Sequence, residues 1–292
     1  MKAHLVDGTY ELFRHFFAVP PHRVAGGLDV GAARGVLGSM ISLLEEGATH
    51  VGVATDHVIE SFRNELYPGY KTGEGIEPTL RQQFEPLEDA LEAAGFAVFR
   101  MVEFEADDAL AAAASVASRD PRVEQVVICS PDKDLAQCVV GTDVVRLDRR
   151  KRTVYDAAGV REKFGVDPAS IPDYLALVGD HADGFPGLPG WGAKSAAAVL
   201  GHYETLEKIP ADPATWAVKV RGATKLSATL EAGRTDALLF RTLARLSEDG
   251  PPVGEVDEWE WLGPADRFPE LAAVWGAPRL VERANRLASG RQ

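Results

Sequence analysis

The chain has 292 residues, 46% of them hydrophobic, with 31 basic against 44 acidic residues and a net charge of −13. That length allows one large domain or two modest ones. No apolar run approaches the roughly 20 residues of a membrane span, and the N-terminus lacks the basic stretch and apolar core of a signal peptide. Cys129 and Cys138 have no metal-binding companions and read as reduced thiols of a cytoplasmic protein.

In chain order, residues 3–7 (AHLVD) form an apolar, strand-like run ending in Asp. Residues 34–46 carry apolar positions at helical spacing, and 50–56 (HVGVATD) are again strand-like and end in Asp. This alternation predicts β-α-β units and a parallel sheet. It recurs: 79–94 reads as one helix, 96–101 as a strand, 105–118 as a helix and 124–129 as a strand, with a helix start after Ser130-Pro131. Residues 142–156 read as two strands around the basic turn Arg149-Arg150-Lys151-Arg152; a solvated hairpin tip is the plainer reading of that run, a phosphate contact the alternative. The breakers Asp167-Pro168 and Ile171-Pro172 open a region that reads as helix, glycine-rich hairpin, helix over 171–209. The tail from 251 opens with Pro251-Pro252 and ends in a helix-like segment, 279–289.

Nine carboxylates fall at strand ends or helix mouths: Asp7, Asp56, Glu105, Asp107, Asp108, Asp132, Asp134, Asp180 and Asp183. In parallel α/β sheets, ligands bind beyond the carboxyl ends of the strands, where Asp7, Asp56 and Asp132 are expected. A single Asp there is most often a cap or turn former. Three acids within Glu105-Ala-Asp107-Asp108, with two more in Asp132-Lys-Asp134, exceed what capping requires. Gathered carboxylates repel unless cations lie between them. Two divalent ions about 4 Å apart would relieve that repulsion and activate water for phosphodiester cleavage. Oxygen-only donors suit Mg²⁺ or Mn²⁺ rather than Zn²⁺. Setting the nine aside leaves 35 acidic against 31 basic residues, a balance of −4, so the charge does not exclude DNA.

Two further elements point the same way. Gly187-Leu-Pro-Gly190-Trp-Gly192-Ala-Lys194-Ser195 would let backbone approach a phosphate at a helix mouth, although its spacing is not that of a P-loop. The plain alternative is a tight turn between helices. Arg63 and Lys71 flank Tyr67 and Tyr70 just after the Asp56 strand, a basic-aromatic pattern that suits single-stranded nucleic acid.

Together, VDG, FRNELYPGYK, EADD, SPDKDL, GDxxD and PGLPGWGAKSA over residues 3–245 resemble the 5′-nuclease (flap endonuclease) family, which includes the 5′–3′ exonuclease domain of bacterial DNA polymerase I. The resemblance implies an α/β fold: a PIN-like nuclease core at 1–165, a helix-two-turn-helix DNA clamp at 166–250 and a C-terminal extension at 251–292. It places Asp7, Asp56, Glu105, Asp107 and Asp108 in a first metal group and Asp132, Asp134, Asp180 and Asp183 in a second. It makes Lys71 and Arg63 the cations beside the scissile phosphate. It assigns DNA contacts to the hairpin residues Gly187, Gly190, Gly192, Lys194 and Ser195, with K⁺ as an additional occupant of the hairpin, while the basic-aromatic pattern adds Tyr70 as a DNA contact. The implied partner is DNA with a 5′ end, nick or 5′ flap, the implied form a stand-alone monomer.

There are departures. Glu74 stands where the family usually has a basic residue, on what would be a local roof helix shared with Lys71. Gly184 stands where the family typically has Asn. Rival readings are weaker. A haloacid-dehalogenase-type phosphatase needs a nucleophilic Asp where this chain has Leu5. A PIN-type ribonuclease would usually lack the 171–209 hairpin. A non-catalytic DNA-binding module would not need nine clustered acids.

Overall fold

The computed structural model describes residues 1–291. Its contacts divide the chain into two units: Met1–Ser61, Gly73–Ser130 and Ser247–Gln292 form the first, Phe62–Thr72 and Pro131–Leu246 the second.

The first unit contains four strands, β1 (Lys2–Asp7), β2 (His50–Asp56), β3 (Ala97–Met101) and β4 (Gln125–Cys129), in the order β3-β2-β1-β4. All three pairings are parallel; Asp7 is level with Ala54, and Asp56 with Met101. Leu5, Val6, Val51, Val53 and Ile128 are fully buried, the continuous apolar pattern of parallel strands covered on both faces. The order reverses between β1 and β4, so the crevice expected of such a sheet opens at the ends of those two strands. The helices Gly8–Phe16, Gly31–Glu45, Phe84–Ala93 and Ala106–Arg119 complete the α/β arrangement.

The helix expected over 79–94 is two helices, Pro78–Arg81 and Phe84–Ala93. At the break, the Gln83 side chain donates to Thr79 O, a carbonyl that the interrupted helix leaves open, and accepts from Ala33 N in the first turn of the Gly31–Glu45 helix. The tail contributes core to this unit. Trp259 and Trp261 are among its largest fully buried side chains. Trp261 N donates to Thr49 O at 2.8 Å, its Nε1 to Ala94 O at 2.8 Å, and the Trp259 ring lies 5.7 Å from Phe99.

The second unit carries the antiparallel hairpin β5 (Val144–Asp148) and β6 (Thr153–Tyr155), with Arg146 opposite Tyr155. The turn between these strands is the basic run, with Arg150, Lys151 and Arg152 exposed. The helix start expected after Pro131 is a short 3₁₀ turn, Asp134–Cys138. The helices Ile171–Val178, Ala193–Tyr203 and Arg234–Ala244 enclose an apolar core that includes Leu177, Phe185, Trp191 and Phe240. Phe185 and Phe240 stack at 5.7 Å. The 62–72 segment joins this core through Tyr67, whose ring meets Phe240 edge-on at 5.8 Å.

Candidate metal centre and hairpin

In the first unit, each acid is placed by a strand end or helix mouth. Asp7 ends β1 and caps the next helix; its Oδ1 accepts from Tyr10 N at 2.8 Å, and its Oδ2 accepts from Ser130 Oγ, just past β4, at 2.9 Å. Asp56 ends β2 and accepts from Ala106 N at 2.8 Å, the first residue of the Ala106–Arg119 helix. Glu105 precedes that helix, and its Oε1 accepts from Ser61 Oγ at 2.7 Å. Asp108 is fully buried and uses both oxygens on backbone donors, Glu105 N at 3.0 Å and Ser247 N at 2.8 Å. Asp107, one residue earlier, is half-buried.

In the second unit, carboxylate oxygens of Asp134, Asp180 and Asp183 lie within 4.8 Å of one another. Asp132 is in the same loop as Asp134, and its Oδ1 accepts from Asp134 N at 2.9 Å. Lys133 pairs with Asp180, and Lys71 Nζ lies 3.0 Å from Asp183 Oδ1. Asp134 makes no ion pair among the described residues, and its buried Oδ1 has no hydrogen-bond donor. Burial, then the charges of Asp132, Asp183 and Asp180, push its carboxyl well above the usual carboxylate range. An orphaned buried oxygen among oxygen-only donors fits a hard divalent cation.

Three residues differ from the sequence expectation. Arg63 is 1% exposed: its Nε donates to Leu243 O at 2.8 Å and its Nη2 to Arg245 O at 2.9 Å. Tyr70 is buried in the second unit's core instead of offering a face to a base, and Lys71 Nζ lies 5.6 Å from its ring centroid. Glu74 lies on no helix, because residues 67–77 are turn and coil; its side chain is exposed.

The glycines sort by what surrounds them. A Cβ on Gly187 would sit 2.3 Å from Gly179 N, and one on Gly184 would sit 2.2 Å from Gly69 O; both residues have positive φ. Those two glycines let backbone segments pack closely inside the unit, which explains why Asn is not found at Gly184. Gly190 and Gly192 instead face open space. Gly192 is the N-cap of the Ala193–Tyr203 helix, where Ser195 Oγ accepts from Gly192 N at 3.0 Å, and Lys194 is exposed beside it. The hairpin is anchored by Trp191, which packs on Trp216 and donates to Leu226 O at 3.2 Å.

The residues not anticipated from sequence are Ser61, Ser130, Lys133 and Arg146. Lys133 was legible as a cation inside Asp132-Lys-Asp134. A lone Arg in the apolar run Val144-Val-Arg-Leu was the signal for Arg146.

Residues 2–165 match the family described as 5′-3′ exonuclease, N-terminal resolvase-like domain, and residues 166–267 match 5′-3′ exonuclease, C-terminal SAM fold. The 5′-3′ exonuclease of Aquifex aeolicus is 35% identical over 208 residues, covering 70% of this chain and 71% of that protein. DNA polymerase I of Pseudomonas aeruginosa is 36% identical over 264 residues, which cover 87% of this chain but only 28% of that protein. The chain therefore spans less than a third of the polymerases it matches. The fold is similar to a T5 5′-exonuclease structure with bound divalent metal ions (zinc), at TM-score 0.66, 21% identity and 99% of each chain. It is also similar to the catalytic core of Rad2 in complex with DNA substrate, at TM-score 0.60, 17% identity, 98% of this chain and 91% of that one. The chain belongs to the 5′-3′ exonuclease family.

Proposed function

We propose that this protein hydrolyses DNA phosphodiesters at a 5′ end, nick or 5′ flap, with acidic side chains in each unit holding Mg²⁺ or Mn²⁺. The observation that carries the reading is the Asp134-Asp180-Asp183 cluster with its orphaned Asp134 oxygen. Divalent ions there would supply Lewis-acid activation of water and of the phosphate. Asp132, Asp134, Asp180 and Asp183 form one donor set, and Asp7, Asp56, Glu105 and Asp107 form the other. Asp108 accepts from Glu105 N at the helix entrance with one oxygen and from Ser247 N with the other, and fits a role in aiming Glu105 and Asp107.

Lys71 is half-exposed on Asp183 and is the cation available to a substrate phosphate. Arg63 ties the segment that carries Lys71 to carbonyls at the C-terminal end of the Arg234–Ala244 helix. Tyr70 packs beneath Lys71. Gly190, Gly192, Lys194 and Ser195 present an open helix N-terminus suited to a duplex phosphate, with K⁺ held by hairpin carbonyls as part of the same reading. Gly187 shapes that hairpin from inside.

The test is cleavage of 5′-labelled flap, nicked, blunt-duplex and single-stranded DNA, and of matched RNA, in Mg²⁺, Mn²⁺ or chelator. Metal-dependent cleavage of the flapped or nicked DNA is expected, with Asp107→Ala and Asp183→Ala inactive but folded. Parent-rate cleavage by either variant, or a preference for RNA, refutes the reading.

A further inference from the structure

Arg146 is a buried charge that the proposed chemistry leaves unused. Its side chain on β5 is fully buried and forms no ion pair among the described residues. Its guanidinium carbon lies 4.6 Å from the Tyr155 ring centroid, on the opposing strand. Nη1 donates to Pro131 O at 2.6 Å and to Asp132 O at 2.8 Å, whereas Nε and Nη2 have no partner. A buried cation without a carboxylate is costly, and an apolar residue of similar volume would fill the space more cheaply. All its hydrogen bonding goes to two consecutive carbonyls. Those carbonyls belong to the loop from which Asp132 and Asp134 project, and Asp132 in turn holds Asp134 N.

We propose that Arg146 is a positioning residue: stacked on Tyr155, it grips the Pro131–Asp132 backbone and so aims Asp132 and Asp134 at a divalent cation. The inference rests on the reading of those acids as metal ligands. Groups that orient ligands from behind typically change metal affinity by about 10- to 100-fold when removed. Arg146 adds a further element, because its positive charge is felt by the Asp132 carboxylate of that loop and by Asp148 on its own strand.

The experiment uses the full chain with Arg146→Met, which keeps volume over Tyr155 but removes every donor, and with Arg146→Lys, which keeps the charge. Mn²⁺ binding without DNA is followed by the electron paramagnetic resonance of free Mn²⁺, with circular dichroism reporting the fold. Arg146→Met is expected to bind Mn²⁺ about 10- to 100-fold more weakly, and Arg146→Lys to lie between it and the parent. In cleavage assays kcat should fall at limiting Mn²⁺ and recover at high Mn²⁺, with KM for DNA unchanged. A merely structural defect would not be rescued by metal. Parent-like Mn²⁺ affinity in folded Arg146→Met overturns the proposal. If that variant does not fold, Arg146→Lys carries the test, and parent-like affinity there overturns it. Asp134→Asn separates the two readings. If it also binds Mn²⁺ like the parent, the ligand assignment fails and the Arg146 inference with it. If Asp134→Asn loses Mn²⁺ and the Arg146 variants do not, only the role of Arg146 is lost.

Discussion

Asp134→Asn should make the metal-free protein more stable while abolishing its response to metal. The substitution keeps the side chain's shape and removes one buried carboxyl. Two like charges 4.8 Å apart repel by about 3.5 kcal/mol at an effective dielectric of about 20, and Asp134 has two such neighbours. Lys133 and Lys71 pair with those neighbours, and Asp134 makes no ion pair among the described residues. Burial and the neighbouring carboxylates favour the protonated form of Asp134, which caps the gain from Asn. Single stabilising substitutions commonly yield about 0.5–2 kcal/mol, and each kcal/mol moves Tm by about 2–4 °C in chains of about 150–250 residues. Metal acts in the opposite direction on the parent. Mn²⁺ at 100 times its Kd adds about 2.7 kcal/mol, which Asp134→Asn should lose. Cleavage should fall by about 1,000-fold, the equivalent of about 4 kcal/mol of transition-state stabilisation. The assay is thermal melting in chelator and in Mn²⁺, paired with flap cleavage. A variant less stable than the parent in chelator, yet equally stabilised by Mn²⁺, would refute the reasoning.

The raised Asp134 carboxyl also predicts a pH dependence. Folding raises this pKa, so the proton's contribution to stability is full below the unfolded value of about 3.9 and is lost as pH rises through the folded value. Bound metal must displace that proton, so Mn²⁺ affinity should climb as pH rises through the raised Asp134 value; calorimetry in buffers of different ionisation enthalpy reads the proton released, and a flat profile contradicts the argument. Gly192→Val should weaken nicked-duplex binding by roughly ten-fold, one charge-assisted phosphate contact, while sparing Mn²⁺ affinity. Its φ of −138° accepts a side chain and its Cβ meets nothing within 4 Å; unchanged anisotropy titrations would remove the clamp assignment. Gly190→Val is a poorer test, because φ +85° would strain the turn itself. Glu74→Arg should raise flap affinity roughly a few-fold at low salt, because the residue is exposed and its charge is screened; equal rates for parent and variant on flaps would mean that Glu74 does not touch the strand.

Much of this protein was legible from its chain because its signals are local. Apolar runs at 3–7 and 50–56 become β1 and β2, and Asp7, which ends the first, caps the helix that follows it, as strand-end Asp residues do. Glu105-Ala-Asp107-Asp108 announces a helix entrance, and the glycines at 187–192 announce a turn before a helix. Residue type and spacing suffice for such features, since backbone geometry within a few residues decides them.

Only the tertiary structure could divide residues of one type by role. Arg63 and Lys71 lie in one basic-aromatic segment, yet one is buried on carbonyls 180 and 182 positions away and the other reaches Asp183. Gly187 and Gly190 share a motif, yet one is closed in by backbone and the other open. Asp107 and Asp108 are neighbours, but helix geometry turns the second into the core and onto Ser247 N. The tail, silent in sequence, supplies Trp259 and Trp261 to the first unit. In each case the deciding quantity is which distant atoms surround a side chain. That follows from packing across long chain separations, to which periodicity and composition carry no direct clue.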